Sequence, residues 1–203
     1  MEIETAHPAR GRPREFCVED ALAQALRVFW SKGYEGASMT DLTEAMGITK
    51  PSLYAAFGNK ESLFRKALDL YERDKLAYMK NALEADTARG VAERLLEGAY
   101  GMQIEDGDPK GCLGVISSTA CGTEAESIRE EVIKRRATSD ALLLARMERA
   151  KAEGDLPAHI TADGIVRYLS AVLQGLCIQG GAGASPQALR DVVNTTLELW
   201  PGR

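Results

Sequence analysis

The sequence predicts an all-α fold, and three observations point that way. Apolar residues recur at intervals of three and four along most of its 203 residues, the alternation typical of strands is weak throughout, and the periodic stretches are separated by Gly-, Pro- and Asp-rich breaks. Nearly half of the residues are apolar and about a quarter are charged, enough to bury a full core and close to ordinary globular usage. The length suits one small unit followed by a larger one.

The first helix is expected from about Val18 to Lys32, with Leu22, Ala25, Leu26 and Phe29 on one face and a stop at Gly33. In SMTDLTEAMG, Ser38 precedes Asp41 by three residues, the spacing of a capping box, and Gly47 closes a second helix after about two turns. Thr49 caps a third, equally short helix that ends at Phe57 and Gly58. Pro51 fits its first turn because the amide that proline lacks would have no partner there. Asn59 caps a fourth, whose stripe Leu63, Ala67, Leu70 and Leu76 runs to about Leu83.

Longer helices are expected over Ala88 to Glu105, Ala125 to Glu153, Thr161 to Gln179 and Gln187 to Trp200, with a short buried helix within Cys112 to Gly122, about nine in all. The breaks are EDGDPKG from Glu105 to Gly111, GDLP from Gly154 to Pro157 and GGAGASP from Gly180 to Pro186. No strand precedes Gly180, Gly181 and Gly183 and no lysine follows in the required place, so they form a connector and not a nucleotide loop.

Composition excludes several classes of function. Cys17, Cys112, Cys121 and Cys177 are widely spaced, and His7 and His159 are the only imidazoles, a pattern unlike a zinc site or a disulfide framework. No nucleophile, base and orienting group fall together at a recognisable spacing, so an enzyme is not expected, nor is a cofactor. No apolar run spans a bilayer and MEIETAHPAR lacks the core of a signal peptide, so a cytoplasmic location is expected. With a net charge of -5, contact with nucleic acid has to come from a local basic patch. Residues 1–14, with Arg10, Arg12 and Arg14 around Gly11 and Pro13, suit a flexible arm.

Two short helices joined across Gly47, behind a longer supporting one, have the proportions of a helix-turn-helix unit over residues 15–62. In such a unit the start of the second helix reaches base edges, which places Thr49, Lys50, Pro51 and Ser52 toward DNA and Leu53, Ala56 and Phe57 toward the core. Lys50 suits guanine O6 and N7 or a phosphate, Ser52 several base edges, and Pro51 a thymine methyl. Tyr54, Lys60, Ser38, Thr40 and the arm residues Arg12 and Arg14 are expected at phosphates or the minor groove.

The stretch from about Arg14 to Tyr71, FWSKGYEGASMTDLTEAMGITKPSLYAAFGNKESLF at its centre, resembles the DNA-binding domain of TetR/AcrR transcriptional regulators. The resemblance rests on Gly33-Tyr34, Gly47, Leu53-Tyr54 with Phe57, and Lys60-Glu61 with Leu63. It implies a repressor that binds a near-palindromic duplex operator as a homodimer, and a larger helical domain, residues 63–203, that dimerises and takes a small-molecule inducer. GCLGVISSTA resembles a common subgroup of these regulators. By that analogy the dimer uses Tyr168, Leu169, Val172, Leu176, Val192, Val193, Thr196 and Leu197, a self-complementary strip about a two-fold axis. Tyr100, Met102, Ile104, Cys121, Met147 and Gln174 are the candidate lining of the inducer pocket. The alternative trigger is chemical, oxidation or alkylation at Cys112 or Cys121, since Cys112 follows Gly111, beside Lys110, at the head of a helix. Glu130 with Lys134, and Glu131 with Arg135, read as four-residue pairs on a solvated face.

Overall fold

A computed structural model describes residues 16–119 and 122–202. Its helices are α1 (Val18–Gly36), α2 (Met39–Met46), α3 (Lys50–Phe57), α4 (Lys60–Asp74), α5 (Ala77–Ala82), α6 (Ala88–Ile104), α7 (Leu113–Ser118), α8 (Glu126–Ala152), α9 (Ala162–Gly181) and α10 (Pro186–Glu198), with a 3-10 turn at Thr123–Ala125. The described residues contain no strand, as expected of an all-α chain.

The first four helices gather on an aromatic seam. Phe29 of α1 meets Phe64 of α4 edge to face at 5.1 Å, Trp30 meets Tyr71 at 4.8 Å, and Tyr34 meets Phe64 at 5.3 Å. Burying Phe29 or Phe64 contributes roughly 1.5–3 kcal/mol, and each edge-to-face pair adds about 0.5–1.5 kcal/mol. Leu42, Leu53, Phe57 and Leu63 pack onto the seam and hold α2 and α3 against it. The break expected at Gly33 is present as a kink with φ at 71°, after which one more turn brings Tyr34 inward.

This core does not stop at α4. Leu113 of α7 and Ile128 and Val132 of α8 are buried in it, whereas α5, α6, α9, α10 and the distal part of α8 build a second core around Leu95, Leu96, Met147 and Leu169. A division of the chain between residues 62 and 63 falls inside α4, all of whose buried residues belong to the first core.

The fourth helix ends earlier than its apolar stripe suggested. The amides of Lys75 and Leu76 both turn to the Tyr71 carbonyl, at 2.8 and 3.3 Å, and Lys75 forms an ion pair with Asp108 of the α6–α7 loop. The chain restarts as α5, which lays the Tyr78 ring on Gly98 of α6. A stripe of leucines cannot distinguish one long helix from two that share a direction only up to the break.

Two sets of polar contacts join the cores. Glu61, Arg65, Asp69 and Glu72 line one face of α4. Arg65 bonds Glu61 (2.7 Å) and Glu131 of α8, and Arg135 of α8 reaches Asp69 (2.6 Å), Glu72 (3.0 Å) and Glu131 (2.6 Å). Glu131 and Arg135 thus form the four-residue pair expected on α8, and through their further bonds to Arg65, Asp69 and Glu72 they also tie α8 to α4. In the second set, Asp108 binds Arg27 of α1 (2.8 Å) as well as Lys75, while the Trp30 indole donates to the Gly111 carbonyl (3.3 Å). Burial pushes the Glu131 carboxyl up, but hydrogen bonds from Arg65 and Arg135 outweigh it and hold its pKa below the ordinary 4.5.

Two expectations follow. A Cβ added at Gly98 would stand 2.1 Å from the Tyr78 ring, so Gly98→Ala should cost about 1–2 kcal/mol in a denaturant titration despite its better helix propensity. A depressed folded pKa means that the stability from Glu131 is fully present above pH 4.5 and is lost as pH falls. The melting temperature should thus drop less between pH 5 and pH 3 in Glu131→Gln than in the parent, and equal drops would remove Glu131 from the pH response.

Candidate nucleic-acid interface

The outer surface of α2 and α3 is assembled from two caps and a turn. Ser38 Oγ accepts from the Asp41 amide at 3.0 Å and the Ser38 amide donates back to Asp41 Oδ2 at 2.9 Å, completing the capping box. Lys32 of α1 adds an ion pair to Asp41 at 2.6 Å, pinning the head of α2 to the supporting helix. Hydrogen bonds from Lys32, then from the Ser38 hydroxyl and amide, hold the Asp41 carboxyl far below the usual carboxylate range. Gly47 then turns the chain at φ 65°, with nothing within 4 Å of where a Cβ would stand, so glycine is needed there for its backbone freedom and not for room.

Thr49 Oγ1 accepts from the Ser52 amide at 3.3 Å and lies 3.0 Å from Ser52 Oγ, which fixes the first turn of α3. Leu53 is fully buried and Phe57 nearly so, with Ala56 half-buried beside them. The opposite face leaves Thr49, Lys50, Pro51 and Tyr54 exposed and Ser52 half-buried. No acidic residue occurs in KPSLYAAF, and among the described residues Lys50 has no ion pair. The tip of α3 is thus polar, weakly cationic and turned outward, with its open amides at the same end.

The remaining expected contacts are placed unevenly around this tip. Thr40 is exposed on the first turn of α2. Ser38 is exposed too, but its hydroxyl donates to Asp41 Oδ2 at 2.7 Å and its amide is also committed there, so it serves as a cap and has no proton left for a phosphate. Lys60 stands at the head of α4 with its ammonium 4.6 Å from the centre of the Tyr34 ring, a cation–π contact that fixes its stem. Arg12 and Arg14 lie outside the described residues. Phe16, where the described chain begins, lines a groove of about 440 Å³ with Thr43, Glu44, Gly47, Ile48, Thr49 and Ser52, next to the tip of α3.

The candidate pocket residues do not converge. Met102 belongs to the first core, Met147 is buried in the second, Ile104 is exposed, and Cys121 lies outside the described residues. Tyr100 is covered by the Arg190 guanidinium, 3.9 Å from its ring centre. Gln174 lines a groove of about 550 Å³ between α8 and α9, with Asp140, Leu144, Val166, Arg167 and Ser170 among its neighbours. Periodicity identifies the apolar face of a helix but not which core that face joins, so Met102 and Met147, on neighbouring helices, ended in different ones.

The dimer strip needs a similar correction. Leu169, Leu176, Val193 and Thr196 are buried within this chain's own second core, and the Thr196 hydroxyl donates to the Val192 carbonyl. Val172, Val192 and Leu197 are half-buried against the same core, leaving Tyr168 exposed. The outward stripe is Tyr168, Ala171 and Ile178 on α9 with Thr195 on α10 and Leu199 just past its end. Small residues at Ala171 and Gly175 weakened this stripe as a sequence signal. The α4–α8 cross-link was also missed, although Glu61, Arg65, Asp69 and Glu72 at helical spacing were its readable half.

The family pattern described as "Bacterial regulatory proteins, tetR family" matches residues 21–67, which run from α1 into α4. Over nearly the whole length of both chains, the protein is 34% identical to the HTH-type transcriptional repressor ComR of Escherichia coli K12, across 95% of this chain and 93% of that one. It is 29% identical to the repressor BdcR of the same organism, covering 88% and 86%. Among solved structures, a cysteine-substituted form of the TetR family regulator CifR in complex with 26-bp operator DNA superposes with a TM-score of 0.87 at 40% identity, covering 94% of this chain and all of that one. A putative TetR regulator from Rhodococcus sp. RHA1 is 35% identical with a TM-score of 0.62, over 90% and 98%. With the packed α1–α4 unit, the outward tip of α3 and full-length similarity to these regulators, the chain belongs to the TetR family of bacterial transcriptional regulators.

Proposed function

We propose that the protein is a homodimeric repressor that grips a near-palindromic operator with one α3 from each copy and releases it when an effector acts on the C-terminal helices. The observation that carries this reading is the tip of α3, where Thr49, Lys50, Pro51 and Tyr54 are exposed on a helix that buries Leu53 and Phe57. Lys50 and Ser52 read base edges, Pro51 packs on a thymine methyl, and Tyr54, Lys60, Thr40 and the arm hold phosphates. The relatives' names as repressors and the operator-bound CifR structure support the same reading.

A second copy docks on the stripe of Tyr168, Ala171, Ile178 and Leu199. Symmetric half-sites lie about 34–36 Å apart or at a multiple of that distance, so only one separation of the two α3 tips fits the duplex. An effector releases DNA if it binds better to a dimer with another separation. The movement travels through α4, which carries the aromatic seam on one face and the bonds to Glu131 and Arg135 on another. A small molecule seated among the C-terminal helices is the first reading of that effector. The second, a reactive thiol, is favoured by one observation: Cys112 lies within hydrogen-bonding reach of Cys177 and of the Tyr71 hydroxyl on α4.

Selection of bound sequences from random duplexes should return a near-palindrome; a site without two-fold symmetry would contradict the dimeric reading. Lys50→Ala should cost about 1–3 kcal/mol and relax preference at its base position, while Lys60→Ala weakens all sequences alike and lowers the salt slope by about 1. Ile178→Asp should give a monomer in light scattering and abolish tight operator binding, and a dimer that persists in this variant would move the interface elsewhere.

A further inference from the structure

The second core, the loop before α7 and α4 meet at a small sulfur-containing cluster that the DNA-binding machinery does not use. Cys112 is the residue before α7, and the Gly111–Cys112 segment lies directly on α9: a Cβ at Gly111 would stand 3.5 Å from the Cys177 carbonyl and 3.7 Å from the Gly181 Cα. The Cys177 thiol faces Cys112 and also lies 3.9 Å from the Gln103 amide nitrogen. From α4, the fully buried Tyr71 hydroxyl is directed at the Cys112 thiol and has no other hydrogen-bond partner among the described residues. Both cysteines are free and partly buried, whereas Cys17 is exposed on α1's approach.

The two thiols are not equivalent. The Cys177 thiol donates toward Cys112, and despite burial the Tyr71 hydroxyl and the amides of Val115 and Gly114 add to this, so the Cys112 pKa is lowered. The Cys177 thiol is pushed up by its hydrogen bond to Cys112, then by burial and by the charge on Cys112, with Arg136 opposing. This is the division of labour of a redox pair: one sulfur is ready as a thiolate, and the other is held as a thiol until needed.

We propose that Cys112 and Cys177 form a hydroperoxide-sensing thiol–disulfide switch that lowers operator affinity when oxidised. This rests on the thiol reading of the effector given above and adds the partner sulfur and the reagent class. The Cys112 thiolate attacks one peroxide oxygen; the S–O bond forms, the O–O bond breaks, and hydroxide or alkoxide departs and takes up a proton. Cys177 then attacks the sulfur of the resulting sulfenic acid. The S–S bond forms, the S–O bond breaks, and the thiol proton leaves with the departing hydroxide as water. Overall, two thiols lose two electrons and two protons to the hydroperoxide, and a dithiol reductant reverses the change.

The consequence for DNA follows from what adjoins the pair. The carbonyl of Gly111, next to Cys112, is the acceptor for the Trp30 indole, and Trp30 packs edge to face on Tyr71. A disulfide draws this segment toward α9 and empties the space into which Tyr71 points, so α1 and α4 shift together with the α3 tip they carry.

The test uses the full chain in a Cys17→Ser, Cys121→Ser background, hydrogen peroxide as oxidant, and the duplex selected by the protein itself. The proposal expects loss of two hydrogens in mass, a peptide cross-linked between Cys112 and Cys177, and at least a tenfold weaker operator affinity that dithiothreitol restores. Cys112→Ser should not respond, and Cys177→Ser should stop at a sulfenic acid trapped by dimedone. Cys177→Ala provides the same comparison should the serine variant fold poorly. No cross-link, or a cross-link with unchanged affinity, overturns the switch. If N-ethylmaleimide on Cys112 releases the operator while peroxide gives no cross-link, the thiol reading stands and the pairing fails; if neither reagent releases it, both fall.

Discussion

The contact on which the remaining architecture depends is the aromatic seam between α1 and α4. Phe29, Trp30 and Tyr34 on one helix lock with Phe64 and Tyr71 on the other. Helices α2 and α3 have only eight residues each and are too short to be stable alone. They persist because Leu42, Leu53 and Phe57 are buried against this platform, and the direction in which the α3 tip points is inherited from it. The caps at Ser38 and Thr49 then decide where each short helix begins, leaving Lys50 and Pro51 at the outer end.

Because α4 is one wall of the seam, whatever grips α4 acts on α2 and α3, the surface proposed to meet DNA. The grip comes from two directions. Arg65, Asp69 and Glu72 engage Glu131 and Arg135 of α8, and Lys75 at the end of the helix shares Asp108 with Arg27 of α1. Isolated surface ion pairs contribute little, but here several charges share partners, so the cost of ordering each side chain is divided. The hub at Asp108 and the Gly111 carbonyl tie the α6–α7 loop to α1 as well, so a change at Cys112 and Cys177 has a short path to both walls of the seam.

How much was legible follows the range of the interactions concerned. Ser38, Gly47, Thr49 and Asn59 mark helix ends through bonds made within three or four residues, and their roles could be read directly. Leu53 and Phe57 were placed inward by periodicity alone. The end of α4 was not readable because it depends on Lys75 meeting Asp108, 33 positions along the chain, and on Tyr78 finding Gly98. Leu169, Leu176 and Val193 were assigned to a second copy because an apolar stripe does not say whether its cover comes from the same chain.

The sequence by itself determined the all-helical class, the two stubby helices joined at Gly47 and the polar tip at Thr49 to Ser52, because local capping, backbone freedom and the 3.6-residue period dictate them. Only the tertiary structure decided which apolar faces are shared, that α4 is bonded to α8, and that Cys112 meets Cys177 across 65 positions. The physical reason is that these contacts join residues whose separation along the chain carries no information about their distance in space until the two cores have formed.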